Sequence, residues 1–407
     1  MELTLRSGDR WETVDIPDEN IIGILTPIPQ KTIAVPLPPV IDAATEFLIN
    51  YQRILILVND YTRPTPNQPF LTPLLPILRS RQTKILIGLG THRKATENEL
   101  KSILGLDTFF ALSSAIIQHD ARDPASLFLL GKTSFGTDVF LNRKIFWADA
   151  ILTINSIEPH YFAGYTGGRK CFIPGSAGYA TTIHNHNLLL HPASAPLSLQ
   201  DNPVHLDMTE AAKMVAKPIF SIQIVQDASH RILSIHYGDL FTSFETACID
   251  AYKLFALPIK EKADIVLSIL QPPYDINFYQ SQRAVEFGIY ALKPGGIHIT
   301  VSRCYDGIGN DQFIRVLSSS TKPDYLLRGE NSDHPGWYKA ARIARALQKA
   351  RLYTVMGIED QVIKSCFMTP FPSIKQALAA AFNEVGNKAR IYIIPDAGAV
   401  VPIPINA

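Results

Sequence analysis

The sequence predicts an α/β protein of two domains, each with a mainly parallel sheet flanked by helices, with the active site in the interdomain cleft. Three observations point that way. The 407-residue chain exceeds one typical domain, and its 46% hydrophobic and 18% charged residues suffice to bury large cores. Short apolar runs rich in β-branched residues recur with little polar alternation, as strands buried on both faces do. Helix-like stretches separate these runs, which is the pattern of layered α/β folds.

In chain order, the expected strands are Arg53–Val58, Lys84–Leu89 and Ala150–Ile154, then Ala263–Ser268, Gly296–Val301 and Arg390–Pro395. Helices are expected at Glu97–Leu104, Phe241–Ala256, Gln282–Leu292 and Trp337–Arg351. The units fall into two clusters. The expected division is therefore 1–258, a cofactor-binding and catalytic domain, and 259–407, an α/β substrate-side domain. Leu257-Pro-Ile-Lys260 is the expected hinge. The Pro-rich patches Thr26–Pro39 and Pro64–Pro76 read as ordered loops, because apolar residues run through them. The chain contains no internal repeat and no low-complexity tract.

Composition removes several classes of partner. Lys and Arg number 38 against 37 Asp and Glu, and no basic stretch is interleaved with aromatics, so nucleic acid is not an expected partner. The four cysteines, Cys171, Cys248, Cys304 and Cys366, are widely spaced and suit a reducing interior. Met1–Arg6 lacks the pattern of a signal peptide. No apolar run approaches the roughly 20 residues that span a bilayer. The expected compartment is the cytoplasm, without a membrane partner.

Polar groups cluster just past strand ends: Asp60, Thr62 and Arg63 after the first strand, His92 after the second, and Asn155 to His160 after the third. In open α/β sheets, ligands bind outside the carboxyl ends of strands, so three such loops imply one crevice. Two histidines in that crevice suit acid–base work near neutral pH. Arg63 can grip a carboxylate with its planar fork. Each of these, taken singly, also reads as an ordinary loop residue.

The run Gly164-Tyr-Thr-Gly167-Gly168-Arg169-Lys170 permits a tight path and close backbone approach to a ligand. It is not a Walker loop, because Cys171 rather than Ser or Thr follows Lys170. Lys170 is then a phosphate contact or a nucleophile toward a carbonyl carbon, against the simpler reading of a solvated surface lysine. Further on, His184-Asn-His186 and His191 offer imidazoles. Without nearby cysteines, a single-histidine ligand is favoured over structural zinc; the roles of His184 and His191 stay open.

Together these segments resemble the lactate racemase family that uses the nickel-pincer nucleotide. The matching pieces are Asp60-Tyr-Thr-Arg-Pro64, Gly90-Thr-His-Arg93, Glu158-Pro-His-Tyr-Phe-Ala-Gly-Tyr-Thr-Gly-Gly-Arg-Lys170, His186, Asp201-Asn-Pro-Val204 and Asp275-Ile-Asn-Phe-Tyr-Gln280. The resemblance implies a racemase or epimerase of 2-hydroxy acids, with a sulfur-bearing pyridinium mononucleotide that holds nickel. It implies that Lys170 carries this cofactor through a thioamide and that His186 is the fourth nickel ligand. By the same similarity, His92 and His160 are the alternating acid–base pair. Asp60 and Thr62 are cofactor-side residues, and Thr166, Gly167, Gly168 and Arg169 lie near the cofactor phosphate. Arg63, Tyr279 and Gln280 face the substrate, and dedicated maturation enzymes supply the cofactor.

The chain departs from the family where Lys is usual, four residues after the Tyr of the Tyr-Gln pair; Arg283 stands here. Arg is not a conservative replacement for Lys, and it hints at a second carboxylate, so malate, a longer hydroxy acid or a sugar acid stand beside lactate. Trp337, at the end of Asp333-His-Pro-Gly-Trp337, is the candidate for an aromatic wall by the substrate. Two further readings compete: a zinc- or Schiff-base lyase built on Lys170 and the histidines, and a non-catalytic carrier of the nucleotide.

Overall fold

The computed structural model describes residues 1–28, 36–328 and 336–405. The strands of the two main sheets are β1 (Ile21–Ile24), β2 (Arg53–Asn59), β3 (Gln82–Gly88), β4 (Ile116–Gln118), β5 (Ala150–Ile157), β6 (Ile219–Gln226), β7 (Ile232–Gly238), β8 (Ala263–Ile269), β9 (Leu292–Ser302), β10 (Ala350–Met356), β11 (Thr369–Pro370) and β12 (Ile391–Ile394). The helices of eight residues or more are α1 (Pro38–Leu48), α2 (Gln68–Arg79), α3 (Glu97–Leu104), α4 (Tyr179–Asn187), α5 (Pro203–Lys213), α6 (Leu240–Phe255), α7 (Phe278–Gly288), α8 (Asp311–Ser318), α9 (Trp337–Leu347) and α10 (Ile374–Val385). None of the described helices is long and apolar enough to cross a membrane.

The chain divides into two compact units, one of residues 29–254 and one of residues 1–28 with 255–407. In the first, the strand order is β7-β6-β5-β2-β3-β4, parallel except for the antiparallel edge pair β6–β7. One face of this sheet is apolar. Ile54, Ile56, Val58, Ile85, Ile87, Leu152 and Ile154 meet Val40, Ala44 and Leu48 of α1 and Phe70, Leu71, Leu74 and Leu78 of α2. The side chains alternating with these include polar ones that are wholly buried: Thr153 and Asn155 on β5, Ser221 and Gln223 on β6. Thr153 and Ser221 hydroxyls bond each other at 2.7 Å, and the Gln223 side-chain oxygen Oε1 takes the Gly168 N–H at 3.2 Å. The glycine-rich segment therefore lies on the polar face of the sheet.

In the second unit, β11-β10-β9-β8-β12-β1 form an all-parallel sheet. Ile265, Leu267, Ile297 and Ile299 pack toward Ile374, Ala377 and Ala381 of α10. Val266 packs on the other side with Ala284 of α7 and Ala340 and Ile343 of α9. Coverage of both faces explains the unbroken apolar runs.

Three sequence-based expectations differ from the structure. Residues 1–28 belong with 255–407 and not with the N-terminal unit, because β1 pairs in parallel with β12, whose partner is remote in sequence. The expected hinge is part of a short strand: residues 256–259 pair in parallel with 401–404. The patch Pro64–Pro76 is mostly helix α2, which contains Pro73 and Pro76. Interior proline costs about 3 kcal/mol. The burial of Phe70, Leu71, Leu74 and Leu78 on one helical stripe, at roughly 1.5–3 kcal/mol each, exceeds that cost. Of the patch Thr26–Pro39, residues 29–35 lie outside the described residues, and Pro38 and Pro39 open helix α1.

Candidate active site

The site is built at one edge of the first unit's sheet. Strands β5, β2 and β3 are adjacent and parallel, so the loops that follow them leave from the same edge. After β2, Asp60 is buried and makes a tight turn: its Oδ1 accepts from the Thr62 N–H at 3.2 Å and the Thr62 hydroxyl at 2.7 Å. Its other oxygen meets Nδ1 of His92, from the loop after β3, at 2.5 Å. Burial alone would raise this carboxyl. The partners His92, Arg63 and Thr62 outweigh burial and hold Asp60 below the usual carboxylate range. The His92 side chain stays 37% exposed while that of Asp60 is 5% exposed, so the pair is a buried anchor with an accessible imidazole. Arg63 folds back to donate to the Thr62 carbonyl at 3.1 Å.

After β5 the chain makes a short hairpin in which Pro159–His160 pairs with Gly164–Tyr165. His160 is buried, its Nδ1 accepts from the Ala163 N–H at 3.3 Å, and it stacks on Tyr161 at 4.8 Å. Phe162 is the hub of the site. Its ring centre lies 4.5 Å from that of His160, 4.9 Å from that of His186 and 5.6 Å from the Lys170 amine. Three residues expected to do chemistry thus surround one ring.

The glycine-rich turn serves packing. Gly167 and Gly168 have φ of 74° and 52°, which favour glycine, and an added Cβ would strike Ile157 and Phe244 respectively. The Thr166 hydroxyl is engaged with backbone, donating to the Ser156 carbonyl and accepting from the Glu158 N–H, each at 2.8 Å. Arg169 is among the largest fully buried side chains; its guanidinium donates to the carbonyls of Ala163 (2.5 Å), Tyr165 (3.0 Å) and Gly167 (3.3 Å) and lies over Phe244. Burial pushes its pKa down to about 10. Thr166, Gly167, Gly168 and Arg169, expected beside a phosphate, are buried against protein, and they hold the shape of the turn that presents Lys170.

Lys170 is half-buried. Burial, with the positive charges of Arg169 and Arg63 nearby, sets its pKa well below the ordinary lysine value. A lowered pKa enlarges the fraction of the amine that is unprotonated, which is the nucleophilic form.

Helix α4 separates the two histidines of His184-Asn-His186. His184 is exposed and its Nε2 meets the Phe135 carbonyl at 3.3 Å, whereas His186 points inward and is buried. His191 is exposed; its Nδ1 accepts from the Ala193 N–H. Burial, and then Lys170, push His186 down to about 3, so its ring is neutral. Its Nδ1 meets the Asn185 side-chain oxygen at 3.1 Å. The Asp201-Asn-Pro-Val204 piece also gains a physical role. Asn202 caps α5 through the Val204 and His205 N–H groups and donates to the Phe162 carbonyl at 2.7 Å, which fixes the hub residue.

In the second unit, Asn277 caps α7, so Tyr279 and Gln280 occupy its first turn. The Tyr279 hydroxyl meets that of Tyr338 at 2.7 Å, and the Lys339 amine lies 3.5 Å over its ring. Arg283 is buried: its Nε donates to the Gly398 carbonyl at 3.1 Å and its guanidinium covers Tyr274. Trp337 is 2% exposed and donates to the Leu326 carbonyl, which gives it a packing role inside the unit rather than that of a substrate wall. Residues 333–335 of its motif lie outside the described residues.

Among the described residues no three His, Cys, Asp or Glu side chains converge as a metal-binding group. The zinc-lyase reading therefore has no protein ligand set there, while a group that brings its own donors needs only one histidine. The residues that sequence reasoning passed over are Phe162, Asn185 and Asp207. Asp207 carried a signal: it sits with Val204, Met208 and Ala211 on one stripe of α5, an acid among apolar neighbours.

Residues 8–196 match the family model for the lactate racemase N-terminal domain, and residues 259–402 match that for the lactate racemase C-terminal domain. A lactate racemase of Thermoanaerobacterium thermosaccharolyticum is 31% identical over 95% of this chain and 96% of its own length. One of Lactiplantibacillus plantarum is 29% identical over 96% of this chain and 97% of its own. Among solved structures, the lactate racemase apoprotein of T. thermosaccharolyticum aligns with a TM-score of 0.90 at 29% identity, over 99% of this chain and 100% of that one. A Thermotoga maritima protein shares the fold, with a TM-score of 0.69 at 17% identity over 89% of this chain and 97% of its own.

Proposed function

Because the chain belongs to the lactate racemase family and is thus an isomerase, we propose that it inverts the hydroxyl-bearing carbon of a small 2-hydroxy acid, lactate first, with a nickel-pincer nucleotide carried on Lys170. The observation that supports this most is the gathering of His160, His186 and the Lys170 amine around Phe162.

The residues present fit such a cofactor. Lys170 is a half-buried amine whose pKa is lowered, with no hydrogen-bond acceptor among the described residues, which suits acylation by a carboxyl-derived carbon. Asn155 is wholly buried on the polar face of the sheet with neither amide atom bonded, so a donor and an acceptor are left for a polar guest. His186 is a neutral imidazole and would be the protein's nickel ligand; Asp60, Thr62 and Arg63 would border the group. Bound, the group would supply a hydride acceptor for the Cα hydrogen, which is too weakly acidic for a side-chain base alone.

The chain's own part is proton transfer and orientation. Loss of the hydroxyl proton together with the Cα hydrogen leaves a planar 2-keto acid, and return to the opposite face gives the other hand. The two enantiomers place the hydroxyl on opposite sides, so one base is needed for each. Asp60 holds His92 through Nδ1, which leaves Nε2 to accept the hydroxyl proton. The Ala163 N–H donates to Nδ1 of His160 and so fixes the orientation of the ring, and His160 would be the second acid–base group, giving a proton in one direction and accepting it in the other. Arg63 would grip the substrate carboxylate. Tyr279 and Gln280 are the proposed substrate-side pair. Because Arg283 is turned toward Gly398 and Tyr274, a second carboxylate has no evident fork there, and lactate is favoured over malate.

The test is a chiral assay across 2-hydroxy acids with His92→Ala and His160→Ala made separately, in protein whose Lys170 modification is verified by mass. Each change should lower inversion by roughly 10²- to 10⁴-fold while leaving attachment intact. Inversion that survives both changes ends the proposal.

A further inference from the structure

Asn185, next to the inward-facing His186, is wholly buried, and so is Asp207 of α5. The Asn185 side-chain nitrogen donates to Asp207 Oδ2 at 2.8 Å and to the Val204 carbonyl at 3.2 Å. A main-chain carbonyl can only accept, so the amide cannot be turned around whatever the state of the carboxyl. Its oxygen therefore faces Nδ1 of His186 at 3.1 Å. That oxygen also only accepts, so Nδ1 must carry the ring proton and the lone pair sits on Nε2. Asp207 is fixed in turn: its oxygens accept from the hydroxyls of Thr133 at 2.5 Å and Thr137 at 2.8 Å, and the Thr137 N–H donates to the Thr133 hydroxyl. A chain of oriented hydrogen bonds thus runs from the 133–137 turn through α5 to one imidazole of α4.

We propose that Asn185 and Asp207 are positioning residues that hold His186 in the tautomer protonated on Nδ1, so that the lone pair a metal would take lies on Nε2. The consequence for nickel rests on the proposed role of His186; the tautomer does not. Removing an outer-shell partner of this kind typically weakens metal binding or activity 10- to 100-fold. A network that merely tied α4 to α5 would leave the tautomer of His186 unchanged on its loss.

The experiment reads the tautomer first, in full-length cofactor-free protein labelled with ¹⁵N-histidine, by long-range ¹H–¹⁵N correlation. Wild type should show His186 in a single form protonated on Nδ1, and Asn185→Leu should convert it to a mixture or to the Nε2–H form. Should that variant fail to fold, Thr133→Val/Thr137→Val frees Asp207 and should broaden the same signal. In protein loaded by co-expression with the nucleotide-synthesis enzymes, nickel retained after exhaustive dialysis should fall 10- to 100-fold in Asn185→Leu. The swap Asn185→Asp/Asp207→Asn, which restores an acceptor for Nδ1–H and a donor for that acceptor, should recover part of it. A wild-type His186 protonated mainly on Nε2, or an unchanged tautomer in both variants, overturns the proposal. If the tautomer responds as stated but His186→Ala keeps nickel as wild type does, the assignment of His186 as metal ligand falls instead, and the two failures are told apart.

Discussion

At the residue scale, the proposed chemistry concentrates on one amine. The Lys170 pKa is lowered by burial and by Arg169 and Arg63, so Lys170 should lose its proton at lower pH than the surface lysines. Reductive methylation of cofactor-free protein with ¹³C, followed by titration, checks this: one resonance, missing in Lys170→Arg, should move at lower pH than the rest. A Lys170 resonance that titrates with the surface set contradicts the account. A second expectation concerns Asp60, whose carboxylate holds His92 at 2.5 Å. Asp60→Asn should lower kcat by 10- to 100-fold with the Lys170 modification still present by mass, because an amide can fix either tautomer of the ring. An unchanged kcat would make the pair structural only. Much of this site was legible in the sequence, since Asp60, Arg63, His92 and His160 betray themselves by standing just after buried strands. For Thr166 to Arg169 the structure adds a packing reason beside the expected phosphate cradle, since the missing side chains here make room for Ile157 and Phe244. Local sequence does not carry which neighbour a glycine must admit.

At the element scale, buried strands announced themselves and proline misled. All six expected strands occur with shifted ends, and the helix expected at Glu97–Leu104 has those bounds, fixed by the Thr96–Glu99 capping box and by Gly105. Helix α2 was hidden because Pro73 and Pro76 read as breakers, although Phe70, Leu71, Leu74 and Leu78 follow helical spacing. Pro73 and Pro76 are exposed. Replacing either by Ala should restore a backbone hydrogen bond and raise stability by about 2–2.5 kcal/mol, the helical cost of Pro less the unfolded-state entropy it removed. Urea unfolding of Pro73→Ala measures it; a loss of stability would mean that α2 depends on a proline-induced bend.

At the scale of the whole molecule, what the sequence could not disclose is pairing between remote segments. Nothing local to Ile21–Ile24 says that it adds to an edge formed by Ile391–Ile394, and so the first 28 residues were assigned to the wrong unit. Acid stability is also a property of the whole chain. Burial pushes His186 of one unit and His298 of the other down to about 3. Both are neutral in the fold and protonate once unfolded, so the stability they contribute is complete above their ordinary value near 6.5 and is lost as pH falls from there toward 3. Between pH 7 and pH 5.5 only the unfolded chain gains these protons, so each histidine should remove about 1 kcal/mol from the metal-free protein. Denaturant unfolding at the two pH values tests this, and a flat profile would contradict it.

The claim on which the rest depends is that Lys170 carries the group that makes inversion possible. Intact-chain mass spectrometry with peptide mapping, on protein co-expressed with the nucleotide-synthesis enzymes and assayed for lactate inversion in the same preparation, tests it most directly. The account predicts a mass increment located on Lys170, absent from Lys170→Ala together with all inversion. Lactate inverted by a chain whose Lys170 is unmodified would contradict it.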